Sequence, residues 1–211
     1  MNIILLGPQG SGKGTQAKFL SEKLGLFYIE AGAILREAAK ENFQLDEMVN
    51  KKGELVPDEL TLSILKTKLE KEKPDLTNLL FDGFPRSLTQ YQLLKNWFSE
   101  KRAKIDKVIL LEISEEETIR RLSARRICSK CGNVYNLITN PPPHGKCVCG
   151  GELIQRKDDY PEAIKTRLSL YHQITSPLID LLEKEGILVR VNGERPIEAI
   201  SQDLLERLQG I

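Results

Sequence analysis

Residues Ile3-Ile4-Leu5-Leu6 form an unbroken aliphatic run that stops abruptly at a glycine-rich turn. That pattern predicts a short strand buried on both faces, as in a parallel sheet. Over residues 15–24 the spacing becomes helical, with Phe19, Leu20 and Leu24 on one side and Gly25 as the stop. Apolar runs at residues 27–29, 79–81, 107–113 and 188–191 predict further strands, with helix-forming stretches between them. The last of these, residues 196–208, opens with proline at a favourable early position. Strands alternating with helices imply βαβ units, hence an α/β fold with a parallel sheet and helices on both faces.

Two stretches break this rhythm. Residues 30–56 are helical in pattern, charged and poor in long aliphatic runs, which predicts a small helical insert. Residues 127–159 hold every cysteine, the run Pro141-Pro142-Pro143 and several glycines, which suits short strands and turns around a metal. No internal repeat is evident.

Composition narrows the classes. The chain has 211 residues, 40% hydrophobic and 29% charged, enough for one α/β domain with inserted modules. A net charge of +1 argues against a broad footprint for nucleic acid or anionic membrane. No apolar run approaches the roughly 20 residues that span a bilayer, and the N-terminal run is too short and lacks a basic leader. A cytoplasmic protein with reduced thiols is therefore expected.

The sharpest motif is Gly7-Pro8-Gln9-Gly10-Ser11-Gly12-Lys13-Gly14-Thr15, between the first strand and the first helix. Glycines let backbone N–H groups converge on phosphate oxygens, the helix N-terminus adds partial positive charge, and Lys13 supplies a point charge. The hydroxyl comes one position later than in the general phosphate-loop pattern, at Thr15 after Gly14. A second acidic element, Leu79-Leu80-Phe81-Asp82, ends an apolar strand in a carboxylate suited to Mg²⁺ through its water ligands. No Asn-Lys-x-Asp guanine-reading motif is present, which weakens a GTPase reading.

Cys128-x-x-Cys131-Gly132 and Cys147-x-Cys149-Gly150 bring four thiols into one turn-rich segment. In a reduced compartment this reads as a structural, tetrahedral Zn²⁺ site with no open position. Disulfides or free thiols are the alternative. A small module lacks the apolar surface to fold alone, and metal binding can supply that free energy. Because the second pair has only one spacer residue, His144 is a possible substitute ligand.

Asp82-Gly83-Phe84-Pro85-Arg86, followed by Gln90, resembles the adenylate kinase family, whose Gly-x-x-Gly-x-Gly-Lys-Gly-Thr form also matches residues 7–15. The resemblance runs on through Leu35-Arg36, Gly53-Glu54-Leu55-Val56, Arg121 with Arg125-Arg126, and Arg156-Lys157-Asp158-Asp159 with Arg167, covering nearly the whole chain. It implies a P-loop core (residues 1–29, 57–123 and 160–211), a monophosphate-binding insert (30–56) and a zinc-bearing lid (124–159), with hinges near residues 30, 57, 124 and 160. It implies that Gly10, Ser11, Gly12, Lys13, Gly14 and Thr15 hold the ATP phosphates, and that Val134 and Tyr135 lie near the ATP base. Ala31, Arg36, Glu54, Leu55, Val56, Gly83, Phe84, Pro85, Arg86 and Gln90 would line the AMP site. Arg121, Arg125, Arg156 and Arg167 would surround the exchanging phosphates. The implied reaction is ATP + AMP = 2 ADP with Mg²⁺, and lid closure is carried over from the family.

Elementary chemistry supports those roles. Phosphoryl transfer spreads charge over three equatorial oxygens, so positioning and electrostatics carry the catalysis. Arginine suits this, since its fork stays charged and donates two parallel hydrogen bonds. The plainer reading of Arg120-Arg121 and Arg125-Arg126 is a solvated helix face paired with Glu115 to Glu117. Arg121 and Arg125, four apart, would then share one face; Arg120 and Arg126 read as structural.

Glu30-Ala31-Gly32-Ala33 departs from the family's usual Ser/Thr-Thr-Gly-Asp run. Losing one hydroxyl contact is worth roughly 0.5–1.5 kcal/mol, or about two- to tenfold in affinity. Weaker AMP binding or relaxed base selectivity is one expectation; Ala31 as simple packing is the other. A kinase preferring UMP, CMP or GMP, and a nucleotide sensor without turnover, remain alternatives, and a monomer is the default.

Overall fold

The computed structural model describes residues 1–48 and 56–209. Glu54 and Leu55, two of the expected AMP contacts, lie outside the described residues. The chain divides into two compact units: Met1–Leu6, Lys13–Leu110 and Ile174–Arg190 form the first, while Gly7–Gly12, Leu111–Gln173 and the chain from Val191 onward form the second.

The first unit is built on a sheet of β1 (Ile3–Leu6), β2 (Phe27–Glu30), β3 (Leu79–Asp82), β4 (Lys107–Glu112) and β8 (Leu188–Asn192), in the order β2-β3-β1-β4-β8. The pairings of β1 with β3, β1 with β4 and β2 with β3 are parallel. The central strand β1 is buried along its whole length, as its unbroken apolar run requires. Register sets Glu30 beside Asp82 at the carboxyl ends of β2 and β3. This is the edge of an open α/β sheet at which ligands bind.

Helices α1 (Lys13–Leu24), α2 (Ala31–Ala39), α3 (Phe43–Asp46), α4 (Asp58–Glu72), α5 (Leu88–Glu100) and α8 (Ser176–Lys184) belong to this unit. α5 starts where Ser87 accepts from the Gln90 N–H at 3.0 Å, an N-cap worth about 1 kcal/mol. α4 follows Pro57 and carries Asp58 and Glu59 in its first turn, matching the helix dipole. Leu20, Leu65, Phe81 and Phe98 are fully buried, and the rings of Phe81 and Phe98 meet at 6.0 Å.

In the second unit α6 (Glu115–Ser123) is capped by Ser114 and runs from three glutamates to Arg120 and Arg121. After it come three short antiparallel strands, β5 (Arg125–Cys128), β6 (Val134–Asn136) and β7 (Leu153–Ile154), in the order β6-β5-β7. Then follow α7 (Pro161–Leu170), with proline in its first turn, and α9 (Ile197–Gln209).

One expectation is corrected here. Arg121 and Arg125 do not share a helix face, because α6 ends at Ser123 and Arg125 opens β5. The ladder of Arg125, Arg126 and Ile127 with Asn136, Tyr135 and Val134 takes the backbone groups a longer helix would have used. Among the described residues, no helix is long and apolar enough to cross a membrane.

Candidate active site

The loop after β1 turns tightly, with Ser11 N–H donating to Pro8 O at 3.2 Å. Gly10 and Gly12 sit at φ +84° and +92°, a backbone conformation that costs little only for glycine. α1 then begins at Lys13 with no acidic residue of its own in the first turn, so no side chain of that turn caps its N–H groups as an acid would. Thr15 is exposed and Ser11 buried.

In the first unit a set of charges gathers at the sheet edge. Tyr28 Oη donates to Asp82 Oδ2 at 3.1 Å. A Cβ on Gly14 would stand 3.5 Å from the same oxygen, so glycine there keeps the start of α1 close to the carboxylate. Burial pushes the Asp82 carboxyl up, against the opposing pull of Lys13 and the Tyr28 hydrogen bond. A carboxylate in that position gains from a nearby cation.

Arg86 is exposed, its Nε donating to Gly83 O at 2.8 Å. Phe84 and Pro85 are buried, joined by a cis peptide. Arg36 Nη2 meets Glu30 Oε1 at 3.1 Å, while Ala31 is buried at the start of α2 and Val56 is half-buried. The Gln90 amide is engaged internally: Oε1 accepts from Arg86 N–H and Nε2 donates to Asp58 Oδ1, both at 2.7 Å. Neither Tyr28 nor Asp58 stood out in the sequence. Tyr28 reads as a strand aromatic, and Asp58 as a first-turn helix acid.

In the second unit four arginines are each matched by a carboxylate. Arg121, nearly buried, donates through Nε to Glu117 Oε1 at 2.5 Å and through Nη1 to Gly10 O at 3.4 Å. Arg125 forks onto Asp159, with Nε–Oδ2 2.7 Å and Nη2–Oδ1 2.5 Å. Arg167 Nη1 approaches Asp158 Oδ2 at 3.0 Å and Asp159 Oδ1 at 3.4 Å, and Arg156 Nε donates to Asp158 Oδ1 at 2.8 Å. Asp159 is fully buried. Asp158 pays for partial burial, but Arg156, Arg167 and Arg125 still hold its carboxyl below the ordinary range.

Arg120 forks onto Glu117, and Arg126 donates to the carbonyls of Ser123 and Arg125, which agrees with a structural reading of both. Glu115, expected to pair with these arginines, instead meets His172 at 2.9 Å.

The four cysteines are free and clustered, with Sγ of Cys128, Cys131, Cys147 and Cys149 all within 4.8 Å of one another. Cys128–Cys149, Cys131–Cys147 and Cys147–Cys149 are separated by 3.4, 3.5 and 3.5 Å. Those separations are far beyond a disulfide bond and near the ~3.8 Å sulfur spacing that tetrahedral Zn–S bonds of about 2.3 Å would set. The single-residue spacer therefore does not prevent the second pair from joining the first. His144, exposed in the Pro143–Gly145 turn, is not part of the group. Tyr135 is buried beside the sulfurs and its hydroxyl donates to Cys147 Sγ at 3.5 Å, whereas Val134 is exposed.

The adenylate kinase family model matches residues 5–187. The adenylate kinase of Archaeoglobus fulgidus is 45% identical, covering 100% of this chain and 99% of that protein. Those of Caldicellulosiruptor bescii and Staphylococcus aureus (strain Mu50) are 44% and 40% identical, each covering 99% of both chains. With the phosphate loop, the parallel sheet and the Asp82–Arg86 turn in place, these full-length likenesses show that the chain belongs to the adenylate kinase family.

Proposed function

We propose that this chain transfers the terminal phosphoryl group of Mg·ATP directly to AMP, giving two ADP, reversibly. The observation that carries the reading is the likeness, over the whole length, to proteins named adenylate kinase. Lys13 and the backbone of residues 10–15 hold the ATP phosphates, and Asp82 orients Mg²⁺ through its waters. Arg36 and Arg86 grip the AMP phosphate, near Ala31, Val56 and Gly83 to Pro85. Gln90 acts through Arg86, whose N–H it fixes. Arg121, Arg125, Arg156 and Arg167 neutralise charge on the phosphoryl group in flight.

No general base is needed, because the second pKa of a phosphate monoester is near ~6 and the acceptor is already largely dianionic at neutral pH. Residues 30–56 act as the monophosphate-binding insert and residues 124–159 as the lid on a core formed by the rest. Lid closure over ATP excludes the water that would otherwise hydrolyse it. Zn²⁺ held by Cys128, Cys131, Cys147 and Cys149 would be purely structural, tying β5 to the turns that follow. The Val134 side chain and the backbone of Tyr135 face the ATP base, since the Tyr135 ring is taken up beside the sulfurs. The protein works as a cytoplasmic monomer.

The test is Mg·ATP-dependent phosphorylation of equal AMP, GMP, CMP and UMP, with Lys13→Ala as blank. Diphosphate formed mainly from AMP is expected. Faster turnover of another monophosphate would move the substrate assignment, and no turnover with any would overturn the enzymatic reading.

A further inference from the structure

We infer that Glu30 is a built-in competitor for the AMP phosphate: its carboxylate holds the Arg36 guanidinium in the empty site and must yield it when the monophosphate binds. The inference rests on the assignment of Arg36 to that phosphate.

Glu30 is the last residue of β2 and the N-cap of α2, yet its side chain makes no capping hydrogen bond. The usual gain for a polar N-cap side chain is therefore forgone. The carboxylate reaches instead toward the last turn of α2, where Arg36 Nη2 stands 3.1 Å from Oε1. The pose of Arg36 is shaped from below as well, because a Cβ on Gly32 would lie 3.1 Å from Nη1. Both partners remain roughly half exposed, at 46% and 43%. The pair is therefore reachable by a ligand and held by only a modest free energy.

The neighbours make the carboxylate costly to keep once an anion arrives. Glu30 is paired in register with Asp82, and the two interact as like charges. Arg36 and Arg86 also interact with each other as like charges, so this edge offers two cations to an incoming phosphate. One of them already carries Glu30. A phosphate dianion that approached Arg36 with Glu30 still in place would face both that carboxylate and Asp82. Surrendering the ion pair is the less costly course, since an exposed pair is worth only a few tenths to one kcal/mol. The sequence departure at residues 30–33 thus acquires a second consequence beyond the lost hydroxyl at Ala31. It places an anion where the substrate's own anion must go.

The experiment measures the KM for AMP, the AMP dissociation constant by calorimetry, and kcat at saturating AMP, for Glu30→Gln, Glu30→Ser, Arg36→Ala and Glu30→Gln/Arg36→Ala. Circular dichroism checks that each variant is folded. Glu30→Gln and Glu30→Ser should lower both the KM and the dissociation constant for AMP about two- to fivefold, leaving the KM for ATP unchanged. In the Arg36→Ala background the gain from the Glu30 change should be smaller, because no ion pair is left to give up and only direct repulsion of the phosphate is relieved. An unchanged or raised AMP constant in both Glu30 variants, with Arg36→Ala still weakening AMP, overturns the competitor role and makes Glu30 a support for Arg36. An AMP constant untouched by Arg36→Ala overturns the assignment of Arg36 itself, and the inference with it.

Discussion

Replacing Asp159 by asparagine isolates what the buried carboxylate does for the arginines around it. Asp159 is completely shielded from solvent and accepts three N–H groups from two guanidinia, at 2.7 and 2.5 Å from Arg125 and 3.4 Å from Arg167. Asparagine keeps the volume but turns one acceptor into an NH₂ group that faces a guanidinium donor. Breaking a fully buried ion pair from one side costs about 3–5 kcal/mol. The arginine side chains here are 17% and 23% exposed, so water recovers part of that cost. A loss of about 2–3 kcal/mol is expected, equivalent to a melting midpoint lower by roughly 4–12 °C for a chain of this size. Because Arg125 and Arg167 lose their fixed orientation, kcat should fall about tenfold or more even where the variant is folded. Urea unfolding followed by circular dichroism, with kcat at saturating substrates, reads both effects. Asp158→Asn supplies the internal control, since Asp158 is 36% exposed in its side chain and should cost less than about 1 kcal/mol. Equal losses in the two variants, or a loss below about 0.5 kcal/mol at Asp159, would refute the argument that burial sets the magnitude.

Two shorter tests probe other parts of the second unit. A Cβ at Gly151 would come within 2.5 Å of Cys128 Sγ and 2.7 Å of Lys130 Cβ. Gly151→Ala should therefore shift the sulfur and speed zinc loss to a chromogenic chelator about tenfold or more, while wild-type release in the variant would contradict the tetrathiolate geometry. Hydrogen bonds from Arg120 and Arg121 hold the Glu117 carboxyl at about 2, below its ordinary 4.5. Its contribution is fully present above pH 4.5 and is lost as pH falls toward 2, so the stability gap between wild type and Glu117→Gln should close over that window. A gap independent of pH in unfolding titrations would rule the ion pair out as its source.

Much of this arrangement was legible in the sequence because it depends on local signals. Each predicted strand lies within a residue or two of the observed one, since short apolar runs ending at glycine or acid leave few other readings. The cysteine spacing pointed to one metal-sized cluster even with the shortened second pair. What the sequence hid depends on contacts between distant residues. Arg125 seemed to continue a helix because Glu115 to Arg126 is a good helical pattern, but pairing with residues 134–136 outweighs propensity there. Nothing in the sequence signals that the Gln90 amide donates to Asp58, 32 positions away, a contact that only the fold brings about. The sequence placed Asp159 in the Arg156–Asp159 motif without a role of its own, and only the fold shows that it is the buried one of the two acids.

A common constraint connects these hidden residues. Any site that binds two nucleotides through arginines must keep several cations in place before the substrates arrive, and unpaired partly buried cations are costly. On the proposed roles, each unit supplies its own resident anions: in the second, Glu117 for Arg121, Asp159 for Arg125 and Arg167, and Asp158 for Arg156 and Arg167; in the first, Glu30 for Arg36. These anions are not equivalent, because burial decides whether a phosphate can displace them. Asp159, fully buried and bound by a fork, is shielded from solvent, so on the proposed roles it would keep its arginines oriented whether or not phosphates are bound. Glu30, half exposed and bound through one nitrogen, can turn to solvent at little cost, which is what the inferred exchange with the substrate phosphate requires. The same chemical pair, arginine with carboxylate, thus fixes geometry at one position and tunes affinity at another.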